Sequence, residues 1–182
     1  WPAFGDVTGE GLLLLPKKAA VASVVAIPDA DQTPEQLCGL APGLPVETQF
    51  ARRLAESGCR VVVPALLSRE MKPRAPPGRQ GGANLTHREF IYRSAFEMGR
   101  HLIGYELQKV LAVVDWYAKD TDPKIAVAGY GEGGLLAQYA AALDPRIDAA
   151  LVSGYFGPRE KVWDEPLDRN VFGLLEQFGD AE

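Results

Sequence analysis

The stretch K-I-A-V-A-G-Y-G-E-G-G-L-L, Lys124 to Leu136, joins a short apolar run to a glycine-rich turn and then to a helical pattern. That order matches the strand, sharp turn and helix of a nucleophile elbow, G-x-nucleophile-x-G, whose positions two either side of the nucleophile must be small. Gly129 and Gly133 meet that need around position 131. Position 131 is itself glycine, so this register supplies no nucleophilic side chain. Sliding the register to Glu132 places Tyr130 two residues before it, too large for the turn, and that register is rejected. Glu132 suits the first turn of the following helix, where the dipole favours a carboxylate by about 0.3–1 kcal/mol.

Gly129, Gly131 and Gly134 also satisfy G-x-G-x-x-G, the fingerprint of a dinucleotide-binding fold. That fingerprint wants an acid at the end of the next strand to hold a ribose hydroxyl. Here the next strand ends Leu151-Val152-Ser153-Gly154, without one. The fingerprint strand also usually opens its domain, whereas this one follows other strand-like runs. The nucleotide reading is the weaker of the two.

With 182 residues, 47% hydrophobic, the chain is long enough for one well-buried globular domain. A net charge of -5 and a pI near 5.1 argue against a nucleic-acid partner, which would call for a basic surface. Cys38 and Cys59 are too few for a disulfide framework and lack metal-ligand spacing, and they read as buried thiols rather than a bridge. No metal or cofactor is called for. No apolar run reaches the ~18 residues of a membrane span, and no signal pattern opens the chain. A chain that begins at Trp1 reads as a processed or excised piece, which leaves the compartment open, leaning to an extracytoplasmic one.

Outward from the turn, the apolar runs Ala19 to Ile27, Arg60 to Val63, Lys124 to Ala128 and Ala149 to Ser153 read as strands buried on both faces of a mainly parallel sheet. Leu12 to Leu15 reads as an outer strand between two turns, and Asp31 to Pro45 as loop. Val46, Phe50 and Leu54 recur every fourth residue before Gly58 and predict a helix over Val46 to Ser57. Strand, helix, strand implies a right-handed crossover. Thr86 and Glu89 form a T-x-x-E capping box that starts a helix ended by Gly99. Leu107, Val110, Leu111, Val114 and Tyr117 predict a second, amphipathic helix after Gly104 that covers the sheet. Leu136, Tyr139, Ala140 and Leu143 mark one face of the helix after the turn. Trp163, Val171, Phe172, Leu174 and Leu175 suggest a further helix near the end. Residues 68–85, rich in proline, glycine and the basic Arg69, Lys72, Arg74 and Arg79, read as a mobile basic loop.

Taken together these features resemble an α/β-hydrolase, most closely the dienelactone hydrolase and acetyl xylan esterase-like group. The resemblance spans nearly the whole chain. It is most specific at A-G-Y-G-E-G-G-L-L-A and the following A-A-A-L-D-P-R-I-D-A, and Y-R-S-A-F-E-M-G-R-H and I-G-Y-E-L-Q-K-V-L-A-V-V-D-W are similar to segments of bacterial esterase relatives. It implies a three-layer α-β-α sandwich forming a single domain, and a carboxylic or carbohydrate ester as the substrate class. In that group a serine or cysteine on the elbow works with an acid and a general-base histidine from later strands. Here position 131 is Gly131, and His87 and His101 both precede the turn. The last strands of such a fold are expected to be missing, leaving an exposed sheet edge open to pairing. The resemblance places oxyanion donors at the Glu132 N–H and at the loop of Asp29 and Ala30. Tyr130, Arg93, Arg100 and His101 are candidate contacts to a bound ester or anion, and Glu132 a candidate acid or base. Two readings stay open: an esterase by descent that does not cleave as this chain, and a non-catalytic binding or scaffold module.

Overall fold

The computed structural model describes residues 1–71, 84–155, 164–171 and 173. The chain divides into two compact units, one of Trp1–Leu66 and Tyr105–Phe156, the other of Leu67–Gly104 and Gly157–Glu182. The first unit opens on a small hairpin, β1 (Pro2–Phe4) with β2 (Val7–Thr8), then builds a five-stranded sheet. Its strands are β3 (Gly11–Leu14), β4 (Ala22–Ile27), β5 (Cys59–Pro64), β6 (Ile125–Tyr130) and β7 (Ala149–Ser153). They lie in the order β3-β5-β4-β6-β7, with β3 antiparallel to β5 and every other pair parallel.

The valine-rich runs become central strands because both faces of the sheet are covered. Val24, Val25, Ala26 and Ile27 of β4 are all buried although alternate residues point to opposite faces. Val24, Ala26, Val61, Val63 and Ala128 pack with Leu37, Cys38 and Ala51, so α1 (Pro34–Leu37) and α2 (Phe50–Glu56) close one face. On the other face Leu13 and Val62 line a small groove with Val113 and Trp116 of α4 (Leu102–Tyr117), and the Tyr117 hydroxyl donates to the Val24 carbonyl at 3.1 Å. Leu107, Val110, Val114 and Tyr117 of α4 are buried as their spacing predicts, each contributing roughly 1.5–3 kcal/mol. α5 (Glu132–Leu143) follows β6 directly and buries Leu135, Leu136, Ala137 and Ala140. The four parallel runs share one sheet between helical layers, as the sequence predicts.

Several local expectations are corrected. The hairpin β1-β2 precedes the outer strand. Residues 31–45 are not all loop: Thr33 and Gln36 form a complete capping box that starts α1. The helix expected over Val46 to Ser57 is a 3-10 turn, Val46–Thr48, and then α2, broken at Gln49, whose side-chain Nε2 donates to the Leu44 carbonyl at 3.0 Å. α4 starts before Gly104, and Leu143 of α5 is exposed. β7 is not buried on both faces: Ala149, Ala150 and Leu151 are exposed, and the strand pairs only with β6 among the described residues. Cys38 and Cys59 are both free. Burial pushes the Cys38 thiol up to about 11, with the Glu35 charge adding to the effect. Residues 72–83 of the basic loop, and Trp163, Phe172, Leu174 and Leu175 of the tail, lie outside the described residues.

In the second unit α3 (His87–Glu97) starts at Thr86, whose hydroxyl accepts the Glu89 N–H at 3.1 Å. Arg88, fully buried, donates through Nε to Asp168 at 3.1 Å and through Nη1 to the Leu67 carbonyl at 3.0 Å. The His101 ring lies 3.1 Å through Nε2 from the Asn170 carbonyl, while its Nδ1 accepts the Ile103 N–H at 3.1 Å. That pattern fits a neutral ring with its proton on Nε2. Burial holds the His101 pKa below its ordinary 6.5, against the pull of the Asn170 carbonyl and Asp168. A second proton would also remove the acceptor that caps α4. Between the two pKa values the unfolded chain binds the proton and the folded chain does not, so stability falls as pH drops below 6.5. Melting curves of the parent chain between about pH 7 and pH 5 are expected to show a steeper loss than those of His101→Gln. Equal slopes would contradict this reading.

Candidate functional site

The turn that joins β6 to α5 has its apex at Gly131, which takes φ 59° and ψ -117°, a conformation that side chains rarely adopt. The Gly131 N–H donates to the Ser153 carbonyl of β7 at 2.9 Å, and its own carbonyl accepts the Gly134 N–H at 3.0 Å. Small residues are required on both sides. A Cβ on Gly129 would overlap the Gly133 carbonyl, and one on Gly133 would overlap the Ile27 and Pro28 carbonyls. A Cβ on Gly134 would stand 2.6 Å from the Ser153 carbonyl oxygen, so packing against β7 accounts for the third glycine of the G-x-G-x-x-G pattern.

Asp29 follows β4 and its side chain meets the apex of this turn. Its Oδ1 accepts the Glu132 N–H at 2.8 Å, in the position expected of an oxyanion donor. The same oxygen lies 2.5 Å from where a Cβ on Gly131 would stand. The loop carrying Asp29 closes on itself: the Gln32 N–H donates to the Asp29 carbonyl at 3.0 Å, and the Asp29 N–H donates to the Gln32 side chain at 3.3 Å. Asp29, Gly131 and Glu132 are therefore brought together, and Ala30 is buried beside Asp29. The sequence places Asp29 here for its backbone; the role of its carboxylate and of Gln32 comes only from the structure.

The other candidate side chains have partners and surroundings of their own. The Glu132 side chain is buried in the first turn of α5. Tyr130, opposite Ser153 in the register, stays 48% exposed with its ring against Gly154, where an added Cβ would come within 2.9 Å of it. Arg93, Arg100 and His101 belong to the second unit. There Arg93 pairs with Glu89 at 2.7 Å, and both ring nitrogens of His101 face backbone groups. The run D-P-R-I-D past α5 has a structural role. Arg146 pairs with Asp144 at 2.6 Å and, through that bond first, holds the Asp144 carboxyl below its ordinary 3.8. Asp148 accepts the Ile125 N–H at 2.8 Å, tying the start of β7 to that of β6. Among the described residues no group of three His, Cys, Asp or Glu is placed to hold a metal ion, and no helix is long and apolar enough to cross a membrane.

The site thus sits where a glycine-bounded turn ends β6 of a mainly parallel sheet. The family model described as dienelactone hydrolase family matches residues 10–170. The chain belongs to the dienelactone hydrolase family. Its fold is similar to that of a protein from Bacteroides fragilis assigned as an acetyl xylan esterase, at a TM-score of 0.52 and 20% identity, over 76% of this chain and 39% of that one. It is similar also to acetyl xylan esterase 1 from Thermoanaerobacterium sp., at a TM-score of 0.50 and 15% identity, over 91% of this chain and 51% of that one. The alignments thus take in 39% and 51% of those two chains. No curated protein matches it in sequence. In this dienelactone hydrolase-family chain the turn with Gly131 at its apex leads from β6 straight into α5.

Proposed function

We propose that this protein descends from carboxylic or carbohydrate ester hydrolases of the acetyl xylan esterase-like kind and does not cleave esters by a covalent route as this chain. One observation carries the reading: the apex of the elbow is Gly131, and the space next to it holds the Asp29 carboxylate. Acyl transfer needs an oxygen or sulfur at the apex, and a free donor pair for the developing oxyanion. Gly131 has no side-chain atom to attack with, and the Glu132 N–H already donates to Asp29. A fixed negative charge beside the hole also opposes the charge that develops on a tetrahedral intermediate.

The test is stopped-flow release of nitrophenol from nitrophenyl acetate, with mass spectrometry for an acetyl adduct and Glu132→Gln as control. No stoichiometric burst and no adduct are expected. Slow turnover is compatible with the reading, since hydrolases that have lost a triad member keep about 10³–10⁴-fold over water. A burst with an adduct within the Gly129 to Gly134 turn would overturn it, and an adduct on Glu132 would show that residue to be the nucleophile.

A further inference from the structure

Three features of the elbow fit one another. Gly131 lacks the side chain that the apex of such a turn otherwise projects, and the Asp29 carboxylate occupies the adjoining space, with Oδ1 2.5 Å and Cγ 2.8 Å from the absent Cβ. The Glu132 N–H, which points into that space, donates to the same Oδ1 at 2.8 Å. Gln32 braces the Asp29 backbone from both sides, and the Thr33 capping box anchors the next residues to α1. A carboxylate delivered by a braced loop is a built contact rather than a surface side chain at rest.

We infer that Asp29 is an internal plug of the elbow, matched to the glycine at 131, so that a change at either residue alters the cost of a change at the other. With Asp29 in place, any side chain at 131 must push the carboxylate off the Glu132 N–H. While that bond stands, the N–H is closed to the oxygen of any ester or carboxylate. The plug is autoinhibitory in this sense: the first event at the site is the departure of Asp29. A nucleophile introduced by Gly131→Ser therefore has room only once the Asp29 carboxylate has swung away or been removed. The inference rests on residue 131 being the apex of the elbow, as the proposed function does, but not on the chain being inactive.

A thermodynamic cycle in the full chain tests it, with Gly131→Ala, Asp29→Ala and the double variant followed by thermal unfolding. The backbone strain of alanine at φ 59° is common to both arms and cancels. Gly131→Ala is expected to lower Tm less in the Asp29→Ala background than in the parent, by at least about 2–4 °C. Additive losses would overturn the plug. Should a variant not fold, the parent chain decides the matter by NMR: the Glu132 amide proton is expected to shift with the same pH midpoint as the Asp29 carboxyl carbon. A Glu132 amide that ignores the titration of Asp29 would overturn it equally. An acyl burst together with a coupled cycle would remove the proposed function and leave the plug standing, and the reverse result would do the opposite.

Discussion

Gly133→Ala is expected to cost about 3 kcal/mol or more in urea unfolding, toward the upper end of what overpacking a core produces. The added methyl meets the carbonyl oxygens of Ile27 and Pro28. These are backbone atoms at the end of β4, the middle strand of the sheet, and they have no rotamer to escape into. Relief requires α5 to lift from β4, which breaks the packing of Leu135 and Leu136. Gly104→Ala provides the opposite sign. Gly104 lies inside α4, exposed, with nothing within 4 Å of an added Cβ, so alanine there is expected to gain about 0.5–1 kcal/mol. A Gly133→Ala chain as stable as the parent would mean that β6, β4 and α5 do not approach as described.

The second large effect lies in the other unit, where Arg88→Met is expected to cost about 3–5 kcal/mol. Arg88 is fully buried and Asp168 is 5% exposed, so removing the guanidinium leaves a carboxylate out of water with its cation gone. The Leu67 carbonyl loses a donor in the same step. Adding Asp168→Leu to Arg88→Met is expected to recover most of the loss, because a buried ion pair replaced whole by apolar groups is often close to neutral. If the single variant melts with the parent, the pair is not buried in solution. If the double variant is worse than the single one, the carboxylate has a role besides pairing with Arg88.

The parts of this protein that repeat a local rule are legible in its sequence, and the parts that depend on distant partners are not. Val24 to Ile27 and Val61 to Val63 announce buried strands because the covered faces of a parallel sheet demand apolar residues at every position. Ala149 to Ser153 uses the same vocabulary, so its exposure at the sheet edge could not be read from composition. The short helix α1 was legible in principle, since Thr33 and Gln36 have capping-box spacing, but the prolines and glycines around them argue for loop. At the turn after β6, Gly129 and Gly133 follow from the turn itself. The bond from the Glu132 N–H to Asp29 joins residues 103 apart, and no periodicity reports it. The Arg88–Asp168 pair, 80 residues apart, left one faint trace. A cation in the first turn of a helix opposes the dipole and calls for a partner.

The register of the central strands also bears on the order in which the chain assembles. Val24 of β4 lies beside Ala126 of β6, with more than half of the chain between them. During synthesis β4 and β5 can pair early, through the connection that carries α1 and α2, but the inner edge of β4 has no neighbour until β6 is made. In the interval residues 67–104 are produced, which belong to the other compact unit. Contacts of such long sequence separation fold slowly, because the entropy of closing the loop is lost before the strands meet. An apolar parallel edge waits through that time, and that edge, rather than the finished surface, is where a nascent chain would call on a chaperone.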